Sequence, residues 1–213
     1  GIIDPTGSIR SVVALSGQVG SVVIGPGLGQ DPSAAEFLWG SIDQFNPELP
    51  IVIDADALNI LAKSHGWSER LANPAVLTPH PGEMARLLRI STEDVQRDRV
   101  GAVRAAAKQF NKIVVLKGAS TLIATPDGQL RGSDWVNSGL AKGGSGDVLA
   151  GLIGGLLAQN PAAVYDMASI GVFIHGYAAE EARKHVGETG MRATDVINRL
   201  GHFYRDLIQP KML

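Results

Sequence analysis

The sequence predicts an α/β fold, a three-layer α/β/α sandwich whose mostly parallel sheet is covered by helices on both faces. Short runs rich in β-branched residues alternate with helical patterns, which is the signature of successive strand–helix units. The runs are continuously apolar rather than alternating, as expected for strands that are buried on both faces. The predicted strands are SVVIG (21–25), PIVID (50–54), AVLT (75–78) and IVVLK (113–117).

The helices are predicted from cap residues and apolar periodicity. Asp31 and Pro32 fit the N-cap and the first position of a helix after the first strand. A second helix begins in ADALNILAK (55–63), where Asp56 fits an N-cap. The segment 91–110 opens with the spacing of a capping box and then continues as one amphipathic helix.

The second half of the chain changes character after Lys117. Two short β runs flank Pro126-Asp127-Gly128 and predict an antiparallel hairpin. The last third is predicted to be helical over 147–159, 162–185 and 194–208. No repeat or linker divides the chain, so we expect one domain over residues 1–213.

Composition excludes several classes of function. The net charge is −2 and no basic face is visible, which argues against binding a long nucleic acid. The absence of cysteine excludes disulfides, thiolate nucleophiles and thiolate metal sites, and it fits a reducing compartment such as the cytoplasm. The longest apolar run, 148–158, would span about 16 Å as a helix, about half of a bilayer core. We therefore expect a cytoplasmic protein with no membrane partner.

Distinctive loops follow all four predicted strands. They are GPGLG (25–29), DADALN (54–59), TPHPGE (78–83) and KGAST (117–121). In an open parallel sheet, ligands bind beyond the carboxyl ends of the strands, so these loops are expected to converge on one crevice.

Each loop allows a structural reading beside a functional one. GPGLG alone could be only a tight turn between strand and helix. The two prolines around His80 favour a place in the ligand site, and the residues after Lys117 favour a nucleotide contact over a lysine that faces solvent. Asp54 and Asp56 fit helix caps better than a metal site.

The stretch GGSGD (143–147) leads into an apolar helix and predicts an anion site. Free N–H groups and the positive end of the helix dipole suit a phosphate, and glycines let the backbone approach it. Asp147 would repel that phosphate unless it takes a proton from a hydroxyl group during phosphoryl transfer. The alternative is that Asp147 only caps the helix. No P-loop, Rossmann fingerprint, zinc-protease motif or nucleophile elbow is present.

Taken in order, these motifs resemble a known family. GPGLG, DADALN, TPHPGE, VVLKGAST, NSGLAKGGSGDVLAG and GMRATD resemble the ADP-dependent NAD(P)H-hydrate dehydratases, carbohydrate-kinase-like members of the ribokinase-like fold. The resemblance covers about residues 22–195. It implies repair of (S)-NADHX and (S)-NADPHX to NADH and NADPH, with ADP as the phosphoryl donor in bacteria and archaea, ATP in eukaryotes, and AMP and phosphate as the products from ADP.

The resemblance also implies roles for individual residues. Asp147 would deprotonate the hydroxyl group, the N–H groups of Gly144, Ser145 and Gly146 would form the anion hole, and Gly27 and His80 would face the hydrated dinucleotide with Asp147. The nucleotide would be lined by Lys117, Gly118, Ala119, Ser120, Thr121 and Gly146. Mg²⁺ would bridge phosphates rather than occupy a protein cage. A homo-oligomer, commonly a tetramer, and functional pairing with an NAD(P)HX epimerase are implied as well.

Two departures from the family pattern leave alternatives open. Few residues precede GPGLG, so we expect that the front part of the fold is missing. Ser138 and Lys142 replace the familiar neighbours in NSGLAKGG, and Lys142, Asn137 and Asp56 are secondary site candidates. Lys142 either contacts a phosphate or faces solvent, and the phosphate contact is slightly favoured. The rivals are a ribokinase-like kinase for a hydroxymethyl-pyrimidine or thiazole alcohol, and an inactive nucleotide-binding subunit.

Overall fold

One six-stranded sheet organises the computed structural model, which describes residues 4–208. The strands lie side by side in chain order. They are β1 (Val22–Ile24), β2 (Ile51–Ile53), β3 (Ala75–Leu77), β4 (Ile113–Leu116), β5 (Leu122–Ala124) and β6 (Leu130–Gly132). β1 to β4 pair in parallel, and β5 and β6 pair antiparallel to their neighbours. The predicted strands and the predicted hairpin are confirmed.

Helices connect and cover the strands. They are α1 (Pro5–Ser16), α2 (Pro32–Ile42), α3 (Ala55–Lys63), α4 (Trp67–Arg70), α5 (Pro81–Leu88), α6 (Thr92–Arg97), α7 (Arg99–Phe110), α8 (Ser145–Gln159), α9 (Val164–Gly190), α10 (Ala193–Ile197) and α11 (Leu200–Phe203). A 3-10 turn (Ser138–Ala141) precedes α8, and a π-helical turn (Tyr204–Ile208) follows α11. No helix between residues 4 and 208 combines the length and apolar character needed to cross a bilayer.

The core lies on both faces of the sheet. Along β2, Ile51 and Ile53 point to one side, and Val52 points to the other. The first side is covered by α2, α3, α5 and α7, which contribute buried residues such as Leu58. The second side is covered by α8 and α9, which contribute residues such as Ile153. This arrangement confirms the three-layer sandwich.

Two of the predicted helical segments differ from the structure. The segment 91–110 forms two helices because Asp98, at φ −136° and ψ 74°, interrupts the helical backbone. Its carboxylate then accepts the N–H of Gly101 at 2.8 Å and caps α7. The last segment is divided into α10, α11 and the π-helical turn. The prediction of one continuous helix is wrong in both places, although helical structure is present throughout most of each segment.

Candidate active site

The loops that follow β2, β3 and β4 meet at the carboxyl edge of the sheet. Lys117, directly after β4, donates from Nζ to Asp54 Oδ1 at 2.6 Å, and its backbone N–H donates to the carbonyl of Pro79 at 2.9 Å. Nζ also lies 3.9 Å from Glu83 Oε2. Because β2, β3 and β4 are neighbouring parallel strands, the ends of all three meet around one lysine.

Asp54 is a buried carboxylate that accepts the hydrogen bond of Lys117. It is 1% exposed, and its side chain makes no cap bond to α3, although it stands at the N-cap position. Its Oδ2 has no hydrogen-bond partner within residues 4–208. A Cβ placed on Gly146 would lie 3.7 Å from this oxygen and 3.2 Å from Lys117 Nζ. The helix-cap interpretation of Asp54 is therefore wrong, and the carboxylate lies beneath the start of α8.

Asp56 links two loops instead of capping a helix. α3 begins one residue before it, which places Asp56 in the first turn. Its carboxylate accepts the N–H of Gly29 at 3.0 Å and the side-chain amide of Gln30 at 2.8 Å. The N-cap prediction for Asp56 is wrong because the helix starts too early. The carboxylate instead holds the GPGLG loop against the loop after β2.

Gly27 lies at the open end of the GPGLG loop. Its φ is +68°, and a Cβ there would meet no atom within 4 Å. It borders a shallow groove whose other wall is α1, including Ser8 and Ser11. The space around Gly27 suits a ligand contact, but the described contacts do not connect it to Asp147, so its substrate role stays a prediction.

His80 caps α5 through its ring. Nδ1 accepts the N–H groups of Gly82 at 3.0 Å and Glu83 at 3.3 Å, while Glu83 Oε2 accepts the N–H of His80 at 2.8 Å. This reciprocal capping box fixes Nδ1 as an acceptor and leaves the proton on Nε2. Burial, with the nearby charges of Lys117 and Arg86, lowers the pKa of His80. Half of the side chain remains exposed, so the substrate contact stays a prediction beside this structural role.

Glu83 is a site residue that the sequence analysis missed. It is 5% exposed, and burial raises the pKa of its carboxyl group. Its Oε1 lies 3.3 Å from His80 Nε2. The capping-box spacing from His80 to Glu83 was the sequence signal that could have identified it.

The GGSGD stretch starts α8 as expected. Gly144 precedes the helix at φ +86°, a conformation that favours glycine. The N–H of Ser145 donates to the carbonyl of Lys142 at 3.4 Å. Gly146 and Asp147 occupy the next two positions of the first turn, where backbone N–H groups have no partner inside the helix. These two groups and the helix dipole are the elements of an anion site, and the predicted role of Gly144 and Ser145 in it stays a prediction.

Most of the predicted nucleotide residues line one partly enclosed pocket of about 310 Å³. Lys117, Gly118, Ala119 and Thr121 form one wall, and Gly146 belongs to another. Ser120 is not part of the lining. Further lining residues come from the 133–141 segment, α8 and α9, and they include Trp135, Asn137, Ser138, Ser145, Leu149 and His175.

Asp147 lies beside this pocket and not in it. Its side chain is exposed and borders a neighbouring groove with Val148, Gly151, Leu200 and Tyr204. It forms no ion pair or side-chain hydrogen bond with the residues that the structure describes. The first turn of α8 therefore separates two concavities, with Gly146 in one and Asp147 in the other.

The secondary candidates Asn137 and Lys142 are engaged by nearby groups. Asn137 lines the pocket, and its Oδ1 accepts the N–H of Gly139 at 2.9 Å. Lys142 Nζ donates to the carbonyls of Glu188, at 3.2 Å, and Thr189, near the end of α9. A phosphate contact by Lys142 would require its ammonium group to leave both carbonyls.

His175 is a second residue that the sequence analysis missed. It lies inside α9, is 7% exposed and lines the enclosed pocket. Burial lowers its pKa to about 4, so the ring is neutral at neutral pH. Its Nε2 has no hydrogen-bond partner among the described residues. A lone histidine in a long apolar helix carried no local signal of this placement.

No ready-made metal cage is present in the described part of the chain. Residues 4–208 contain no cluster of three or more His, Asp or Glu side chains with the geometry to hold a metal ion. Oδ2 of Asp54 is buried, has no hydrogen-bond partner within residues 4–208 and lies near Gly146. Any metal bound here would take most of its ligands from the nucleotide and from water.

Comparisons with known proteins point to one family. A family model described as NAD(P)H-hydrate dehydratase matches residues 4–201. A bifunctional NAD(P)H-hydrate repair enzyme of Moorella thermoacetica is 40% identical over 192 residues, which are 89% of this chain and 35% of that protein. The ADP-dependent (S)-NAD(P)H-hydrate dehydratase of Neisseria meningitidis is 44% identical over 168 residues, 78% of this chain and 56% of that protein.

A solved structure of a related protein has a similar fold. The ADP/ATP-dependent NAD(P)H-hydrate dehydratase of Bacillus subtilis, co-crystallised with ATP and Mg²⁺, superposes with a TM-score of 0.77 at 30% identity, over 87% of this chain and 66% of that one. The expected ribokinase-like fold is thereby confirmed. The chain spans between about a third and about half the length of the two curated relatives described above. Within that span, the match over residues 4–201 shows that the chain belongs to the NAD(P)H-hydrate dehydratase family.

Proposed function

We propose that this chain catalyses the ADP-dependent dehydration of (S)-NADHX and (S)-NADPHX to NADH and NADPH, with release of AMP and phosphate. Family membership supports the reaction class. The observation that carries the proposal is the enclosed pocket, because the loop after Lys117 and the first turn of α8 line it together. That combination suits a nucleotide whose phosphates point to the N-terminus of a helix.

The chemistry explains why a nucleotide is needed. Hydroxide is a poor leaving group, whereas phosphate is a good one. The substrate hydroxyl oxygen attacks the β-phosphorus of ADP, the bond from that phosphorus to the AMP oxygen breaks, and AMP leaves. The carbon–oxygen bond of the resulting phosphate ester then breaks, a neighbouring carbon loses a proton, and phosphate leaves the restored dihydronicotinamide ring.

The described residues supply the groups that each step needs. Asp147 is exposed and unpaired within residues 4–208, so its carboxylate is free to take the hydroxyl proton. The N–H groups of Gly146 and Asp147 would hold the transferring phosphoryl group. Lys117, held by Asp54, would balance phosphate charge at the pocket wall. Bound Mg²⁺ would neutralise part of the phosphate charge, and Asp54, whose Oδ2 has no partner within residues 4–208, would be the side chain that helps to hold it.

The finer assignments belong to the same proposal. ADP is the proposed donor because the Neisseria meningitidis relative is named ADP-dependent, and the Bacillus subtilis protein is named ADP/ATP-dependent. Relatives named bifunctional repair enzymes support pairing with a second repair activity, an NAD(P)HX epimerase. Exposed Ile170 and Phe173 on α9 are consistent with a homo-oligomer, which we propose to be a tetramer. A cytoplasmic location completes the proposal.

The decisive experiment follows NADH and AMP together. The purified chain is incubated with ADP, Mg²⁺ and (S)-NADHX, and absorbance at 340 nm is recorded while AMP is measured by chromatography. We expect NADH and AMP to appear in equal amounts. If neither appears, the proposal is wrong. Transfer of phosphate from ATP to a pyrimidine or thiazole alcohol would then identify a kinase, and nucleotide binding without turnover would identify an inactive subunit.

A further inference from the structure

Arg99, the first residue of α7, lies behind the loop that connects β4 with β5. Its Nη2 donates to three carbonyl oxygens, those of Leu116 and Lys117 at 3.3 Å each and that of Ser120 at 3.1 Å. Two of these carbonyls stand where the loop leaves β4, and the third stands just before β5. One guanidinium group therefore joins both ends of the loop.

Gly118 makes this contact possible. A Cβ on Gly118 would lie 2.7 Å from Arg99 Nη2 and 2.9 Å from Nη1, which is too close for a side chain. The glycine thus gives the guanidinium group room to reach the carbonyls around it. The face of the loop that lines the pocket, formed by Lys117, Gly118, Ala119 and Thr121, is held in shape from the opposite face.

The partners of Arg99 are neutral within the described chain. Besides the three carbonyls, Nη1 donates to the side-chain oxygen of Gln96 at 2.9 Å, and no carboxylate pairs with the guanidinium group in residues 4–208. Arg99 is partly buried, which lowers its pKa. A partly desolvated cation that binds only carbonyls is unusual for a residue with a purely electrostatic surface role, because such residues normally gain a carboxylate. Its hydrogen bonds are instead used to order the loop.

We infer that Arg99 is a positioning residue that preorganises the Lys117–Thr121 loop for the nucleotide. The inference rests on the proposed function for the identity of that nucleotide, ADP. A loop that is already ordered loses less conformational entropy on binding, so its nucleotide binds more tightly. Arg99 acts through the loop backbone and does not itself line the pocket.

The test compares Arg99→Met and Arg99→Lys with Arg104→Met. Arg104 lies on the same helix and is exposed, and it makes no side-chain hydrogen bond with the described residues, so it is the matched control. In Arg99→Met, we expect the KM for ADP to rise about tenfold, as for loss of hydrogen bonds from a charged donor. The KM for (S)-NADHX and kcat should stay within about twofold of wild type. Arg99→Lys should be intermediate, because one ammonium group cannot reach all three carbonyls.

A second measurement needs no turnover. Hydrogen–deuterium exchange of the ligand-free protein is measured at the two ends of the loop, where the N–H of Lys117 donates to the carbonyl of Pro79 and residues 122–124 pair with β4. Exchange there should be about tenfold faster in Arg99→Met than in wild type, and unchanged in Arg104→Met. If Arg99→Met does not fold, Arg99→Lys carries both measurements. An unchanged KM for ADP, equal changes in kcat and both KM values, or unchanged exchange at the two ends of the loop would each overturn the inference. If wild type does not bind ADP, the proposed function fails, while loop exchange still decides whether Arg99 orders the loop.

Discussion

The two concavities on either side of the first turn of α8 differ in how much of each is already assembled. The pocket that contains Gly146 is the more enclosed of the two, and its polar side chains Lys117 and Asn137 have protein partners, although Nε2 of His175 has none in residues 4–208. The groove that contains Asp147 is open, and Asp147 has no side-chain partner in the part of the chain described. If the proposed function holds, the difference means that the proposed nucleotide side is preorganised, whereas the side of Asp147, the proposed base, is completed by the substrate.

The largest expected effect separates the two concavities directly. Asp147→Asn should lower turnover by about 10²–10⁴-fold, because an amide cannot accept the hydroxyl proton. Affinity for ADP should stay within about twofold, since Asp147 does not line the nucleotide pocket. Turnover is followed at 340 nm and ADP binding by calorimetry. Glu93→Gln, at an exposed carboxylate on α6, is the control and should keep full activity. Full activity of Asp147→Asn would show that Asp147 is not the base.

The next prediction tests how much the ion pair of Lys117 and Asp54 contributes to the free energy of unfolding. Lys117→Met leaves Asp54 buried without its counter-charge and should lower the free energy of unfolding by about 3–5 kcal/mol. Adding Asp54→Asn should recover part of that loss, because the uncompensated charge is removed. Urea unfolding measures both variants. Arg97→Met breaks an exposed ion pair with Asp94 and should cost less than about 1 kcal/mol. Equal losses for Lys117→Met and Arg97→Met would contradict the burial argument.

The buried ring of His175 should lower the free energy of unfolding at low pH. The unfolded chain takes up this proton near pH 6.5, while the folded chain resists it until about pH 4. Above pH 6.5, His175 is neutral in both the folded and the unfolded chain and does not lower the free energy of unfolding. As the pH falls from 6.5 to 4, the unfolded chain gains the proton first, and the free energy of unfolding falls by about 3 kcal/mol. Unfolding free energies across this range should fall less steeply for His175→Gln than for wild type. Exposed His65→Gln should keep the wild-type slope, and an identical slope for all three proteins would refute the prediction.

The smallest expected effect concerns Lys142, which precedes the first turn of α8 and lines neither concavity. Lys142→Met should change the KM for ADP by less than about twofold, because the ammonium group is bound to the carbonyls of Glu188 and Thr189. The free energy of unfolding should fall by about 1 kcal/mol as those hydrogen bonds are lost. Steady-state kinetics and urea unfolding check both values. A tenfold increase in the KM for ADP would instead place Lys142 at the phosphates.

The sequence predicted the sheet and its loops because their signals are local. Continuous apolar runs identified β1 to β4, and Asp31 caps α2 as expected, with its carboxylate accepting the N–H groups of Ser33 and Ala34. The pairing of Lys117 with Asp54 joins residues 63 positions apart and depends on the order of the strands, which periodicity does not reveal. The predicted single domain over 1–213 stays a prediction.

The division of GGSGD between two concavities was equally beyond sequence reasoning. Gly146 and Asp147 are adjacent in the chain, but successive residues of a helix point about 100° apart. Which neighbour faces which cavity is set by how α8 packs on the sheet and against α9. The roles of Arg99 and His175 also depend on that packing, since neither residue belongs to a recognisable motif.

The reversal of strand direction between β4 and β5 limits how the chain can vary in length. Because β5 pairs directly with β4, one residue inserted between Gly118 and Ser120 would shift β5 relative to its neighbour. Ile123 would then turn from the α8 and α9 side of the sheet toward the opposite face, exchanging places with Ala124. An insertion in the turn at 126–128 would shift only β6, an edge strand whose residues are largely exposed, so the same change would cost less there. Insertions should therefore be tolerated better at Gly128 than in the loop between Lys117 and Thr121.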